Sequence, residues 1–368
     1  MYIERLIVKN FRNYSNLTIE FSEGINLLQG YNGVGKSNVI EAISVLSNLK
    51  SFRTVSDTEI IKWGESSYYC CSTVKDIESR KFEVGCAVVS DRLKKRAKID
   101  DIEMKKASEY YGNLLTVIFS PSDLGLLDGS PERRRRYFDG VISKVDESYF
   151  DEIITFRKVL HSRNKVLKDI REQNASINDL DIWDDMFARS SSSIMQRRRE
   201  FIGTFCPLFE HSYNFISDVE DAPSVDYYTE TGSDEVEGIN ELLRNLRKED
   251  VRRSVTSIGP QRDNFVFMNK TGRNFQDYGS QGEKRTAAIA LKISELHFVE
   301  GERNKRAIIL LDDVLAELDE MRREKVIDFL TGGNQVILSM AHEGYDGELE
   351  RWKQKRFIIE YGGVVREI

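Results

Sequence analysis

A chain of 368 residues exceeds what one hydrophobic core usually organises, and its 40% hydrophobic content is ample for two lobes. A formal net charge of −7 excludes a protein that coats nucleic acid with its whole surface, so any such role has to rest on local basic patches. No stretch approaches the ~18 to 20 uninterrupted apolar residues of a membrane span, and the opening MYIERLIVKNFRNY carries charges where a signal peptide needs an apolar run, so a cytoplasmic location is expected.

In chain order, YIERLIVKNF alternates apolar and polar residues as a strand does, LTIEF repeats the pattern after a turn, and INLLQ is a short apolar run ending at Gly30. Glycines follow, then NVIEAISVLSNL at helical spacing, giving a strand, a Gly-rich loop and a helix. YYCCSTV, KFEVGCAVV and RAKID read as strands, with the basic DRLKK as a hairpin turn, and TVIFS is a further strand closed by Pro121. Ser130 and Pro131 make an N-cap and first-turn pair for a helix holding Arg133–Arg136. From Val145 to about Phe205 the pattern is a helical hairpin broken near Asn174–Asn178, and the acidic stretch Asp218–Gly238 reads as a linker or loop. A helix near Glu241–Lys248, strands at VRRSVTSI and NFVFM, and an amphipathic helix from Ser280 to about Phe298 come next. AIILLDD and QVILSM are buried strands around the helix MRREKVIDFL, and RFIIEY is the last strand. Strands alternating with helices at both ends predict an α/β sheet assembled from the two ends around a helical middle.

Arg92–Lys98 (RLKKRAK), Arg133–Arg136 and Arg197–Arg199 are three basic patches, each either a solvated face or a nucleic-acid contact. Cys70, Cys71, Cys86 and Cys206 lack zinc-site spacing and read as buried, reduced thiols.

Gly30-Tyr31-Asn32-Gly33-Val34-Gly35-Lys36-Ser37 fits G-x-x-x-x-G-K-[ST] in the strand-before, helix-after context the motif requires. Glycines let backbone N–H groups turn inward around phosphate oxygens, and the helix N-terminus adds partial positive charge. Lys36 then reaches the β and γ phosphates and the Ser37 hydroxyl ligates Mg²⁺, so ATP with Mg²⁺ is the expected ligand. Asp312 and Asp313 end an apolar strand, the edge at which α/β sheets bind ligands. Asp312 is expected to hold the metal, and Asp313 either polarises the attacking water or caps the next helix.

Tyr278-Gly279-Ser280-Gln281-Gly282-Glu283-Lys284, opening a long helix, resembles the signature motif of ABC-type ATPases, and Ala316-Glu317-Leu318-Asp319 resembles their D-loop. Together with Asn10-Phe11-Arg12-Asn13-Tyr14, VIFSPSDL from Val117, SPERR from Ser130 and IGPQRD from Ile258, these make the chain resemble the RecF family of bacterial recombination mediators, ABC-type ATPases related to SMC proteins. The resemblance runs from the first strand to about Asp319.

The resemblance implies an ABC-ATPase-type head formed by residues 1–110 and 251–368, with a mainly helical second lobe inserted at 111–250. It implies an ATP-dependent homodimer in which Ser280 and Gly282 of one copy meet the nucleotide held by Gly30–Ser37 of the other. The implied function is that of a weak DNA-dependent ATPase in recombinational repair and replication, which clamps DNA at gaps where single strand meets double strand. It acts there with RecO and RecR to load the recombinase RecA. Arg12 either lies near the nucleotide or is a strand-end charge, and His342 either senses the γ phosphate or sits on a polar loop. Asp123, at the place of a Q-loop, offers a metal or water contact, and Arg262 an internal ion pair. Glu283 and Lys284 stand where the family more often has glutamine. A chromosome tether of the SMC type needs coiled coils sustained over many heptads, which the interrupted helical stretch lacks. A transporter ATPase needs a Q-loop glutamine, and a fused nuclease needs an acidic domain for which no room remains after Asp319.

Overall fold

The computed structural model describes residues 1–54, 56–218, 221–330, 332–340, 354–360 and 365–367. The chain packs as two compact units, one of Met1–Gly125, Phe215–Asp218 and Arg285–Ile368, the other of Leu126–Asn214 and Val219–Lys284. The strand at Thr116–Phe119 therefore belongs to the first unit and the signature segment to the second, whereas the sequence pattern divides the chain after 110 and 250.

The first unit begins with β1 (Tyr2–Phe11), β2 (Tyr14–Glu20), β3 (Ile25–Gln29), α1 (Lys36–Asn48), β4 (Ser67–Lys75), β5 (Ser79–Val89), β6 (Arg92–Ile99), β7 (Ile102–Glu103), α2 (Ala107–Tyr110) and β8 (Thr116–Phe119). The second unit follows with α3 (Pro131–Val145), α4 (Glu147–Arg171), most of α5 (Leu180–Ser217), β9 (Ser224–Tyr228), α6 (Val236–Arg253), β10 (Asn264–Met268) and α7 (Phe275–Tyr278). α8 (Gln281–Arg303) leads back to the first unit, which closes with β11 (Ile308–Asp312), α9 (Glu320–Leu330), β12 (Val336–Met340), β13 (Gln354–Ile359) and β14 (Val365–Glu367).

Two six-stranded sheets organise the first unit: an antiparallel one ordered β2-β1-β4-β5-β6-β7, and one ordered β14-β13-β3-β12-β11-β8. In the second, β13, β3, β12, β11 and β8 run parallel and only the edge strand β14 is antiparallel. It is the α/β sheet expected from both chain ends, and its parallel strands are the near-continuous apolar runs that burial on both faces demands. α1 is buried almost continuously from Val39 to Ser47, because one core cluster joins it to Leu6, Val8, Tyr68 and Val84 of the antiparallel sheet and to Leu28, Leu310 and Ile337 of the parallel one. A helix buried on nearly all sides is packed on all sides, and this fixes the direction in which its N-terminus points.

In the second unit, Phe138 on α3 packs against Phe201 and Phe205 on α5 and Phe265 on β10. The helical hairpin is α4 and α5, and α5 continues through Pro207 to Ser217, twelve residues past the expected end at Phe205. The stretch read as a linker contains β9, paired antiparallel with β10. VRRSVTSI is not a strand: α6 takes its first three residues and ends at Ser254, whose φ of 55° makes a left-handed cap. The basic DRLKK is not a turn either. Ser90 and Asp91, at φ of 49° and 59°, form a two-residue hairpin turn with positive φ at both positions, and Arg92–Lys95 start β6.

Candidate functional site

The loop between β3 and α1 is shaped by glycines in three different ways. A Cβ on Gly30 would lie 2.4 Å from the Ile359 carbonyl oxygen on β13. Gly33 has φ of 83° in open space, and Gly35 has φ of 121° with the Tyr14 hydroxyl 2.6 Å from where a Cβ would stand. The turn after β1 supports the loop from behind: Asn13 Nδ2 donates to the Val34 carbonyl at 2.8 Å and the Tyr14 hydroxyl to the Gly35 carbonyl at 3.0 Å. Lys36, 4% exposed, folds back to donate to the carbonyls of Gly30 (2.9 Å) and Tyr31 (3.0 Å). Gly35 is the N-cap of α1, and no side chain caps that helix among the described residues. Nor do the N–H groups of Gly33, Gly35, Lys36 and Ser37, or the Ser37 hydroxyl, meet an acceptor among them. A helix start with unpaired N–H groups beside a buried ammonium is an anion site.

β11 lies between β8 and β12, and β12 between β11 and β3, so Asp312 and the phosphate loop share the C-terminal edge of one parallel sheet. Ser339, opposite Asp312 in register, donates its hydroxyl to Asp312 Oδ1 at 2.9 Å and accepts the Asp313 N–H at 3.0 Å. Asp313 has φ of 50°, a left-handed turn that stops the strand, and its side chain makes no capping bond to the short 3₁₀ turn Val314–Glu317. The helix-capping alternative is realised instead by Asp319, whose carboxylate accepts the Arg322 N–H at 3.0 Å at the start of α9.

Charge ties these elements together. Burial lowers the Lys36 ammonium from its ordinary range, against the pull of Asp313 and Asp312. Burial raises the Asp313 carboxyl, Asp312 adds to this, and Lys36 opposes it. A P-loop cation and two strand-end carboxylates thus feel one another directly. Of the groups at this edge, Ser37 offers an unengaged hydroxyl and Asp312 a second carboxylate oxygen without a hydrogen bond among the described residues. Hard oxygens of this kind suit Mg²⁺, which takes one or two protein ligands and completes its shell with water and phosphate.

Other expected residues are placed differently. Arg12 is committed through Nε and Nη2 to the buried carboxylate of Glu41 on α1 (2.9 and 2.5 Å) and through Nη1 to the Glu59 carbonyl. It borders a cleft lined also by Asn13, Asn38 and Trp63, whose indole is 98% exposed. Trp63 and Ser339 have no motif to mark them; only the fold reveals them. Ser280 and Glu283 form a capping box at the start of α8, with the Ser280 N–H on Glu283 Oε2 at 2.7 Å and the Glu283 N–H on Ser280 Oγ at 3.3 Å. Glu283 thereby has a local role, while Lys284 pairs with Asp128 at 2.7 Å and Gly282 lies one residue into the helix. Asp123 turns inward to the Ser120 N–H (2.7 Å) and hydroxyl (2.9 Å). The internal ion pair expected of Arg262 belongs to its neighbour: Asp263 is buried 3.8 Å from Arg198, and Arg262 is exposed. Cys70, Cys71 and Cys86 are buried and Cys206 half-buried, all free of disulfides. His342 lies outside the described residues.

Residues 2–345 match the family model described as the RecF/RecN/SMC N terminal domain. The chain is 36% identical over 342 residues to the DNA replication and repair protein RecF of Acetivibrio thermocellus, covering 89% of this chain and 90% of that protein. It is 33% identical to the RecF of Leptospira interrogans over 99% of both. Its fold superposes with a TM-score of 0.91 on a solved structure of the recombination mediator protein RecF with ATPrS, at 32% identity over 100% of this chain and 98% of that one. The head of an Smc protein shares the fold alone, at 16% identity and a TM-score of 0.54. With its phosphate loop, its strand-end aspartates and near-complete coverage of these relatives, the chain belongs to the RecF family of DNA replication and repair proteins.

Proposed function

We propose that the protein is an ATP-driven dimerising switch that clamps DNA in recombinational repair, closing when two copies share nucleotide and opening on slow hydrolysis. The observation that carries this reading is the set of unpaired N–H groups at Gly33, Gly35, Lys36 and Ser37, beside an ammonium already coupled to Asp312 and Asp313. The RecF relatives solved with ATP and ATPrS support ATP as the ligand.

In this reading the N–H groups of Gly33–Ser37 and the Lys36 ammonium bind the phosphate chain, with Lys36 exchanging the carbonyls of Gly30 and Tyr31 for phosphate oxygens. Mg²⁺, when bound, neutralises phosphate charge, and Ser37 and Asp312 hold it. Ser339 fixes Asp312 and the turn at Asp313, so that the Asp313 carboxylate, made a stronger base by burial, accepts a proton from water. The cleft bordered by Arg12, Asn13 and the exposed face of Trp63 seats the nucleoside. Ser280 and Gly282 of a second copy complete the γ-phosphate contact, which converts nucleotide binding energy into dimer closure. The RecFOR pathway named for the solved relative supports RecO and RecR as partners, and closure on DNA at single-strand/double-strand junctions, with RecA loaded there, is the family role this reading extends to the chain.

The test is binding to gapped, single-stranded and duplex oligonucleotides with and without ATP, across a salt series, with light scattering to follow dimerisation. ATP is expected to raise both DNA affinity and molecular mass for the natural chain. For Lys36→Arg, whose planar guanidinium does not fit the ammonium's seat, ATP is expected to change neither. DNA affinity independent of nucleotide, or a Lys36→Arg protein that dimerises normally, sinks the switch.

A further inference from the structure

We infer that the outward face of the antiparallel sheet, centred on β6, is a docking surface for the phosphate backbone of duplex DNA. The inference rests on the DNA-binding reading above and says where on the first unit that contact is made.

Of the three basic patches, two are largely spent on contacts within the chain, with only Arg136 and Arg199 left exposed in surface ion pairs. Arg134 is buried on the Gly129 carbonyl and Asn264, Arg135 on the Asp263 carbonyl, and Arg136 pairs with Glu132. Arg197, Arg198 and Arg199 pair with Asp146, Asp139 and Asp234. β6 differs because strand alternation sorts its residues. Lys95, Ala97 and Ile99 face inward, Ile99 in the core and Lys95 on the Leu49 carbonyl and Asp57. Arg92, Lys94, Arg96 and Lys98 therefore share the outer face, a cation about every 6.6 Å along the strand. Arg92 and Lys94 have no ion pair among the described residues, and Arg96 meets Glu103 only at 3.6 Å with 71% of its side chain exposed, a pair of little strength.

The face continues across the sheet. Ala87 and Gly85 stand opposite Lys94 and Arg96, Tyr69 is next to Gly85, and Lys9 is next to Tyr69, with Arg5 two residues from Ile7 on the same side of β1. A Cβ at Gly85 would find nothing closer than 3.8 Å, so nothing stands up from the sheet there. Of the acids on this face, Glu83 is engaged with Tyr69 and Lys81 and Asp101 with Lys81, while Glu20 stands opposite Arg5 on the edge strand β2, away from β6. Charged edge strands also deter pairing with another chain, but that role does not call for a second basic row on β1. In a chain of net charge −7, two such rows, with Gly85, Ala87 and Tyr69 between them, concentrate positive potential on one face of the sheet. Single strands are held by stacking on exposed aromatics, and the aromatics on this face, Tyr69 and Tyr2, are both half-buried, Tyr69 being bonded to Glu83, so phosphate contact with a duplex is the better fit.

The test compares Arg92→Ala/Lys94→Ala/Arg96→Ala with a control triple of equal charge on α4, Arg157→Ala/Lys158→Ala/Lys165→Ala. Binding of the full-length proteins to duplex and to single-stranded oligonucleotides is followed by anisotropy over a salt series, with ATP binding as the check on folding. For the β6 triple, duplex affinity is expected to fall about tenfold or more at low salt, whatever the sequence, and the slope of log K against log salt to fall by about 2.7, at about 0.9 per lost phosphate contact. The charge-keeping Arg92→Lys/Arg96→Lys variant is expected to retain binding, and the control triple to behave as the natural chain. A β6 triple that binds duplex normally, a control that loses as much, or a loss confined to single strands overturns the assignment while leaving the DNA-binding reading intact. A natural chain that binds no DNA removes both.

Discussion

Gly33 and Gly35 both hold positive φ, but their surroundings separate them. At Gly33 an added methyl meets nothing within 4 Å, so Gly33→Ala is expected to cost only the left-handed backbone, about 1–2 kcal/mol. At Gly35 the methyl also strikes the Tyr14 hydroxyl and the Asn13 amide that brace the loop, so Gly35→Ala is expected to cost more and to abolish ATP binding. Urea unfolding and nucleotide titration of the two variants check this, and equal losses would show that the brace is irrelevant. Asp313 carries the second residue-scale prediction. Its carboxyl is raised by burial, so the folded state binds that proton more tightly than the unfolded chain does, and stability declines as pH rises from the ordinary carboxylate range through the raised value. Asp313→Asn removes the charge and suits the left-handed turn. It is expected to melt higher than the natural chain at neutral pH, with the difference closing on acidification, and to bind ATP without hydrolysing it. Melting curves between pH 4 and 8 decide; a variant less stable at pH 7 refutes the assigned cost of burial. The motif made Gly30–Ser37 legible from sequence because every chemical requirement there is local. Ser339 and Trp63 were not legible, since their roles come from strands and loops brought together only by the fold.

At the scale of elements, sequence reading succeeded where one period dominated a long run, as in α1, α4 and the buried strands β3, β11 and β12. It failed where composition outweighed period. VRRSVTSI is rich in β-branched residues, which favours a strand, yet its two valines stand four apart and Val251–Arg253 finish α6, with Asp250 fixed by tertiary contacts: it accepts from Arg163 at 2.9 Å and from the Ser257 hydroxyl at 2.7 Å. The basic composition of DRLKK suggested a turn, whereas two positive-φ residues, Ser90 and Asp91, supplied one at its very start. Arg163 itself, on α4, is wholly buried between Asp184 (2.8 Å) and Asp250, joining α4, α5 and α6. Arg163→Met would leave two carboxylates buried without their shared cation, and is expected to destabilise the chain by about 3–5 kcal/mol, read by urea unfolding. A loss under about 1 kcal/mol would mean that Arg247, which also pairs with Asp184 at 2.7 Å, holds the cluster alone.

At the scale of the whole molecule, the phosphate loop lies in one compact unit and Ser280 in the other, joined covalently through α8 at residues 284 and 285. The proposed switch requires that the two meet across copies, and this makes a prediction that no single variant can test. A Lys36→Ala protein keeps an intact signature, and a Ser280→Arg protein keeps an intact phosphate loop, so neither forms a complete site with its own kind. If the site is shared between copies, a mixed pair contains one complete site, built from the loop of the second protein and the signature of the first. ATP is therefore expected to dimerise the mixture while leaving each variant alone monomeric in light scattering. A site completed within one chain gives the opposite pattern, because mixing then restores nothing. Failure of the mixture to dimerise, with Ser280→Arg still binding ATP, would reject the shared site and leave the phosphate loop as a simple nucleotide pocket.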